Sequence, residues 1–345
     1  MMQTDAILIT GANGELGRAL IAHLQQASGR PLVTLDVRPP DAAIEGVVER
    51  AYVGDILDKQ LITEVFGTHR FRQVFHFAAL LSTAAERDPA RAHAVNVEGT
   101  LNLMHALLAQ HRDSEAPAGF FYPSSIAVYG LPGADEKGRT PPINETQYLS
   151  PETMYGCNKR YCELVGSYYA GRTGATLDFR CLRYPGLISA ETVPSGGTSD
   201  FGPEMLHAAA QGLPYAAFVR PDTTIPFMTM PDAVKALIAL TSAPRERLKQ
   251  HVYNVTAFSL SARDIAARAE VAFPGAQITY VPVPARQRIL DSWPAAVDDR
   301  AARRDWGWFP DYDADSAFNT YLIPAITAHY VNKGDSQKMK VESEG

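Results

Sequence analysis

The sequence predicts an α/β fold in which a doubly wound parallel sheet is joined to a smaller lobe, formed mostly by the C-terminal part of the chain. Three observations predict it. Short apolar runs alternate with segments of helical periodicity through residues 1–186, a glycine-rich turn follows the first apolar run, and 345 residues is long for one hydrophobic core. Strict alternation of strand and helix favours right-handed crossovers and a parallel sheet, the arrangement of a Rossmann domain.

The same patterns place the individual elements. Strands are expected at 6–10, 31–36, 51–55, 73–79, 119–125 and 176–186. Helices are expected at 15–27, 59–67, 88–110 and 152–170. Beyond residue 186 the pattern loosens into prolines and short segments, although 277–283 is typical of a strand. We expect 224–240 to return a strand and a helix to the main domain.

This pattern divides the chain into two parts and a tail. The main domain is predicted to comprise residues 1–186 with about 226–255, and the smaller lobe residues 187–225 and 256–330. The final segment, 334–345, is polar and is expected to be disordered.

Composition and charge argue against several classes of function. The net charge is −6 and there is no block of lysine or arginine, which argues against nucleic acids and anionic membranes as partners. No apolar run approaches the roughly 20 residues that span a bilayer. The N-terminus has no signal-peptide pattern and the three cysteines form no CxxC pair, so a reducing, cytoplasmic location is expected. Nine scattered histidines without an HExxH pattern indicate no metal site.

The turn "TGANGELGRAL" (10–20) carries Gly11, Gly14 and Gly17 between a strand and a helix. Glycine permits a tight turn and lets backbone N–H groups approach a pyrophosphate, which the helix N-terminus then stabilises. Glycines also end strands for purely structural reasons. The strand–turn–helix context nevertheless favours a dinucleotide site.

Two acidic residues follow the second and third strands. Asp36 can accept hydrogen bonds from the adenosine ribose hydroxyls and repel a 2′-phosphate, which favours NAD over NADP. Asp36 could instead cap a turn, and the nearby Arg38 leaves some use of NADP open. Asp55, in "GDILD", is expected either to contact the adenine amino group or to cap the following helix.

Tyr155 and Lys159, in "YGCNK", are four residues apart on a predicted helix and therefore share one face. An ammonium group favours the phenolate form of a neighbouring tyrosine and can also hydrogen-bond a ribose hydroxyl. Such a pair also occurs by chance on helix surfaces. The segment "PSSIAVYG" (123–130) strengthens the functional interpretation, because it ends a strand where ligands of open α/β sheets bind. Ser125 in this segment could hydrogen-bond a substrate oxygen.

Together these segments resemble the extended short-chain dehydrogenase/reductases. TGANGELG, Asp36, GDILD, HFAA, VNVEGT, PSSIAVYG, YGCNK and RYPG follow in the order typical of that superfamily, over nearly the whole chain. The resemblance implies an NAD-dependent oxidoreductase with the catalytic residues Ser125, Tyr155 and Lys159. It also implies an NAD site formed by Gly11, Gly14, Glu15, Leu16, Gly17, Asp36, Asp55, Ile56, Ala78, Ala79, Asn96, Tyr155, Lys159 and Leu187.

The segment "VPSGGTSDFG" (193–202) bears on the substrate. Its hydroxyls and carboxylate suit a small zwitterion, and Arg220 is the only lysine or arginine between Tyr184 and Met230, whereas a sugar diphosphate would favour several cations. The longer stretches "FRCLRYPGLISAETVPSGGTSDF", "IPFMTMPDAVKA", "YNVTAFSLS" and "DSWPAAVDDRAARRDWGW" resemble the short-chain type of L-threonine 3-dehydrogenases.

That second resemblance implies oxidation of L-threonine to 2-amino-3-oxobutanoate. It implies substrate contacts from Ser82, Ser124, Ser125, Tyr155, Thr198, Asp200 and Trp293. The sequence departs from the family at Ser195, where glycine is expected, and carries serine at 125 and 199, where threonine is common. The family also implies a homodimer, in which the helices at 88–110 and 152–170 form a four-helix bundle.

Structural roles remain open for several of these residues. Ser82 could cap a turn, Ser199 or Asp200 could cap a helix starting near Pro203, and Trp293 could simply pack. A sugar-nucleotide 4-epimerase or dehydratase is the main alternative function, and an NAD-sensing regulatory protein is a third. The intact set of Ser125, Tyr155 and Lys159 argues against the regulatory protein.

Overall fold

The computed structural model describes residues 5–172, 176–192 and 197–331. Ser195 and the tail expected at 334–345 lie outside these residues. Among the described residues the strands are β1 (Ala6–Thr10), β2 (Leu32–Asp36), β3 (Arg50–Val53), β4 (Phe71–His76), β5 (Ala118–Ser125), β6 (Leu177–Tyr184), β7 (Gly186–Ile188), β8 (Tyr215–Ala217), β9 (Thr224–Thr229), β10 (Val252–Asn254), β11 (Phe258–Ser261) and β12 (Ile278–Tyr280).

The helices agree closely with the sequence periodicity. They are α1 (Glu15–Ala27), α2 (Ala42–Glu45), α3 (Lys59–Thr68), α4 (Ser82–Arg87), α5 (Pro89–His93), α6 (Thr100–Gln110), α7 (Ala134–Arg139), α8 (Met154–Ala170), α9 (Phe201–Ala210), α10 (Met230–Ser242), α11 (Ala262–Ala272), α12 (Pro284–Ser292), α13 (Arg300–Trp306) and α14 (Ala314–Ser316). A π-helical turn, Ala94–Gly99, joins α5 to α6, and a second one, Ala317–Leu322, leads into a helix at 323–331.

The central sheet has seven strands in the order β3-β2-β1-β4-β5-β6-β10, and all of its pairings are parallel. The predicted doubly wound α/β fold is therefore confirmed. Strand order reverses between β1 and β4, so the loops after these two strands diverge and leave a crevice at the carboxyl edge of the sheet. The glycine-rich turn and residues 77–81 border this crevice.

Three apolar cores hold the molecule together. One lies between one face of the central sheet and the helices α3, α6 and α8, and it includes Leu103, Phe120 and Phe179. A second lies on the opposite side, where α1 and α10 pack on the sheet through Leu20 and Leu237. The third lies mainly in the C-terminal lobe, includes buried residues at 126–131 and 143 of the main domain, and is the largest cluster of buried residues.

The lobe contains two small sheets, and its main strand differs from our expectation. β9 pairs in parallel with β7 and antiparallel with β11, while β8 pairs with β12. The strand at 224–229 therefore joins the lobe's sheet, and β10 takes the free edge next to β6. Helix α10, which directly follows β9 in the chain, packs on the central sheet as expected. An apolar run buried on both faces fits either sheet, so its sequence does not specify its neighbour.

Candidate active site

The glycine-rich turn approaches the loop after β4 closely. Gly11 has a φ of +67°, and a Cβ there would lie 2.6 Å from the backbone nitrogen of Ala78. A Cβ on Gly17 would lie 2.7 Å from the carbonyl oxygens of Gly11 and Ala12. Gly14 is the N-cap of α1, and no side chain of the described residues caps that helix. The turn thus presents uncapped N–H groups in a space that only glycines leave open, which fits a dinucleotide diphosphate.

Glu15 and Leu16 begin α1 beside this turn, and both are half-buried. The Glu15 carboxyl faces Ser189, Glu191 and Thr192 of the lobe, and burial raises its pKa. Residues 189–192 therefore border the nucleotide end of the crevice.

Asp36 lies at the end of β2 and organises the backbone around the crevice. Its carboxylate accepts hydrogen bonds from the backbone N–H of Asn13 at 3.0 Å and of Arg38 at 3.1 Å. Asn13, which sequence reasoning missed, donates its side-chain amide to Pro39 O at 2.8 Å. Asp55 does not cap the next helix: it accepts from the N–H of Leu57, and Asp58 is the N-cap of α3.

The loop after β4 is held by Asn96. The Asn96 amide accepts from Leu80 N at 2.7 Å and donates to Leu80 O at 3.0 Å, and Ala78 and Ala79 lie half-buried in the same loop. The π-helical turn carries Asn96. Two further residues that we expected at the cofactor lie in other segments of the chain. Ile56 is buried against Gly99, and Leu187 is half-buried in β7.

Ser125 and Tyr155 are positioned by a direct contact between two elements. Ser125 ends β5 and its hydroxyl accepts from Ala127 N at 3.2 Å. A Cβ on Gly156 would lie 2.1 Å from the Ala127 carbonyl oxygen, so the start of α8 packs on the turn after Ser125 only because residue 156 is glycine. Thr153 caps the same helix end by accepting from Gly156 N. Sequence reasoning missed Gly156, although a glycine beside a functional tyrosine is a visible signal.

Lys159 is 3% exposed and points from α8 toward β5. Its ammonium donates to Pro123 O at 2.7 Å and lies 5.4 Å from the centroid of the Tyr155 ring. Burial lowers the pKa of Lys159 to about 8 and raises the pKa of the Tyr155 phenol. Burial therefore opposes the phenolate, and a positive charge beside Tyr155 is needed to offset it.

Ser124 lies on the face of the sheet that packs against α8, the face that also carries Tyr122, because side chains two residues apart on a strand share a face. Its hydroxyl donates to Glu163 at 2.6 Å. Glu163 forms a two-point ion pair with Arg183, at 2.8 and 2.7 Å, and both side chains are almost fully buried. The hydroxyl that we expected at the substrate is thus committed to a buried ion pair beneath the site.

Thr198 and Ser82 bring the lobe onto the main domain. The Thr198 hydroxyl donates to Ser82 Oγ at 2.9 Å, and the Thr198 N–H approaches the same oxygen at 3.2 Å. Asp200 stands at the N-cap of α9 without capping it through a side-chain hydrogen bond among the described residues, and its carboxylate accepts from Gly197 N at 2.5 Å. Trp293 is buried in the core of the lobe.

Two arginines distant in sequence reach this region. Arg286, on α12, donates to Gly197 O at 3.0 Å and lies over the Phe218 ring. Arg18, on α1, donates to the Thr192 hydroxyl at 3.3 Å. We inferred from the chain between Tyr184 and Met230 that cations are scarce near residues 193–202. The folded structure contradicts this inference, because both arginines reach the region from outside that window. Arg220, the cation within that window, pairs with Asp291.

Within residues 5–172, 176–192 and 197–331, no three histidine, cysteine or acidic side chains lie close enough together to hold a metal ion. Over the same part of the chain no helix is long and apolar enough to cross a bilayer.

The parallel sheet, the glycine-lined crevice and the tyrosine–lysine pair define a dinucleotide-dependent enzyme of the short-chain dehydrogenase class. Residues 7–256 match the model of the NAD dependent epimerase/dehydratase family, and the chain belongs to that family, as the resemblance implied.

Relatives narrow the class to NAD-dependent oxidoreductases. The mitochondrial L-threonine 3-dehydrogenase of Bos taurus is 37% identical over 320 residues, which cover 92% of this chain and 81% of the relative. The holo form of a GalE-like L-threonine dehydrogenase from Cupriavidus necator superposes with a TM-score of 0.81 at 34% identity, covering 94% of this chain and 99% of that one. A monomeric L-threonine 3-dehydrogenase from a metagenome gives a TM-score of 0.82 at 31% identity, with the same coverage. The protein is an NAD-dependent oxidoreductase.

Proposed function

We propose that the enzyme oxidises the side-chain alcohol of L-threonine to L-2-amino-3-oxobutanoate. The observation that carries this proposal is the hydrogen bond between Thr198 and Ser82. Through it, the Thr198 hydroxyl of the lobe lies near α8, the helix that carries Tyr155 and Lys159. Ser82 begins α4, α4 packs on α8, and Glu86 of α4 accepts from Met154 N, the residue before Tyr155. The names of the relatives support the same substrate.

Each catalytic candidate has a role in this proposal. Ser125 hydrogen-bonds the substrate hydroxyl, and Tyr155 as phenolate takes its proton. Lys159 favours the phenolate by its charge. The glycine-rich turn and Asp36 would hold NAD in the crevice, where it would supply the acceptor for the hydride that leaves the β-carbon.

The zwitterionic end of the substrate requires complementary charges. The loop hydroxyls and Arg286 provide a positive and hydrogen-bonding surface for a carboxylate, and Asp200 provides a carboxylate for the ammonium group. In this scheme residues 1–186 with α10 and β10 bind NAD, and 187–225 with 256–330 bind the substrate. Strand β9, which the sequence assigned from residue 226 to the NAD-binding part, belongs to the lobe's sheet.

One observation favours the alternative of a sugar-nucleotide 4-epimerase or dehydratase. Arg18 contacts Thr192 and Arg286 contacts Gly197, and two cations in this region could hold a sugar diphosphate. The two functions differ in cofactor turnover, because an epimerase returns its hydride to the sugar and produces no net NADH.

The test is to incubate the purified protein with NAD and, separately, L-threonine, L-serine and nucleotide sugars, while following the absorbance of NADH. We expect L-threonine to give the highest kcat/KM. Sustained NADH formation with a nucleotide sugar and none with threonine would refute the proposal.

We further propose that the enzyme is a homodimer in a reducing compartment such as the cytoplasm. α8 exposes Tyr161, Leu164 and Tyr168 at 45%, 52% and 58%, an apolar strip that a partner helix would cover, and all three cysteines are free. The metagenomic relative is described as monomeric, so the assembly needs direct measurement. Sedimentation at micromolar concentration should give a dimer that Leu164→Glu dissociates, whereas a monomeric unmodified protein would contradict this.

A further inference from the structure

We propose that the aromatic ring of Tyr122, in β5, is a positioning residue that holds the Lys159 ammonium charged and directed toward Tyr155 by a cation–π contact. The contact itself is independent of the substrate. Its catalytic consequence rests on the proposed function, in which Lys159 supports the base.

The geometry gives Lys159 two fixed contacts from one strand. Its Nζ lies 4.5 Å from the centroid of the Tyr122 ring and 2.7 Å from the carbonyl oxygen of Pro123, the next residue. Tyr122 is 1% exposed, so the contact is shielded from water, and cation–π attraction is stronger where both partners are desolvated. With one N–H donated to Pro123 and the ring face below, the remaining donor capacity is left for the side of Tyr155.

The other titratable groups around Lys159 supply little negative charge to stabilise it. His76, from β4, has its pKa lowered to about 3 by burial and is neutral. Burial raises the thiol pKa values of Cys162 on α8 and Cys181 on β6, so both remain protonated near neutral pH. The remaining carboxylate, Glu163, is paired with Arg183 and Arg160. The ring of Tyr122 is thus the group best placed to favour the ammonium.

The chain also provides a matched control. The Tyr122 hydroxyl is buried and, within the described residues, has no partner better than the weakly accepting Cys162 sulfur. Tyr122→Phe therefore removes an unsatisfied hydroxyl and keeps the ring face, whereas Tyr122→Leu removes the ring.

The first experiment measures the contact in the cofactor-free protein. Urea unfolding is followed for Tyr122→Leu and Tyr122→Phe, each in the Lys159 and the Lys159→Met backgrounds, at a pH below the Lys159 pKa of about 8. The Met background cancels the cavity that leucine leaves. We expect Tyr122→Leu to shift the unfolding equilibrium constant about fivefold or more further when Lys159 is present, with no such coupling for Tyr122→Phe. Coupling no larger than about twofold, the usual error of additivity, would overturn the proposal.

The second experiment uses the pH profile of kcat/KM. Losing the ring removes stabilisation of the charged amine, which lowers the Lys159 pKa, so the loss of activity on the alkaline side should move to lower pH in Tyr122→Leu and stay in place in Tyr122→Phe. Coupling in unfolding with an unchanged profile would overturn the positioning role. If the unmodified protein fails to oxidise threonine, the proposed function fails, while the unfolding cycle still decides whether the contact exists.

Discussion

The hydroxyl groups of Ser82 and Thr198 lie 2.9 Å apart, although 116 residues separate them in the chain. Thr198→Ala removes one of these hydroxyls from the proposed substrate site. We expect KM for threonine to rise by about tenfold, the value of one lost hydrogen bond of ~1.4 kcal/mol, with a smaller change in kcat. Thr198→Ser keeps the hydroxyl and serves as the control. Steady-state kinetics with unchanged KM in the alanine variant would exclude Thr198 from substrate binding.

Tyr155→Phe removes the phenolic oxygen without altering the packing of α8. NAD binding, measured by calorimetry, should change little, while kcat should fall by about 10²–10⁴-fold because general-base assistance is lost. A variant that turns over at a near-normal rate would show that another group takes the proton.

Asp36→Ala should weaken the preference for NAD. The unmodified enzyme should prefer NAD over NADP by at least about tenfold in kcat/KM, or ~1.4 kcal/mol, because the carboxylate repels a 2′-phosphate. Asp36 also accepts from Asn13 N and Arg38 N, so the alanine variant loses support for the turn. Asp36→Asn removes the negative charge but keeps an oxygen that can accept these hydrogen bonds. It therefore separates the effect of the charge on cofactor preference from the effect of losing support for the turn. Equal use of both cofactors by the unmodified enzyme would contradict the assignment.

Glu163→Gln should destabilise the fold strongly. Removing the charge leaves Arg183 buried without its anion, and breaking such a pair costs about 3–5 kcal/mol. Arg300→Met is the control: it breaks a pair with Asp298 in which the arginine side chain is 86% exposed, and it should have a much smaller effect. The free energy of unfolding of both variants is measured with urea. Equal decreases in the two variants would show that burial does not make the Glu163–Arg183 pair more important for stability than the surface pair.

The central sheet could be predicted because its signals are local. Strand β1 and helix α1 begin and end at the residues that the pattern predicted, since a short apolar run, a glycine turn and an amphipathic helix specify them without reference to the rest of the chain. Which sheet β9 joins depends on which edge is free, and no residue within 224–229 encodes that choice.

The site was predictable only in part, for a similar reason. Tyr155 and Lys159 share one helix, so their spacing brings them together directly. Arg286 reaches the loop from a helix far along the chain, and counting charges in a sequence window cannot detect such an approach. The sequence also does not reveal that the Ser124 hydroxyl donates to Glu163, because that partner lies 39 residues further along the chain.

The position of β10 has a consequence for biosynthesis. This strand closes the edge of the sheet beside β6, yet it follows β7, β8 and β9 of the lobe in the chain. While the ribosome is still producing the lobe, β6 presents an unpaired edge that can associate with other nascent strands. Translation stalled before residue 252 would therefore leave an incomplete, aggregation-prone sheet. Efficient expression should then depend on chaperones that bind the nascent chain until residue 252 has been synthesised.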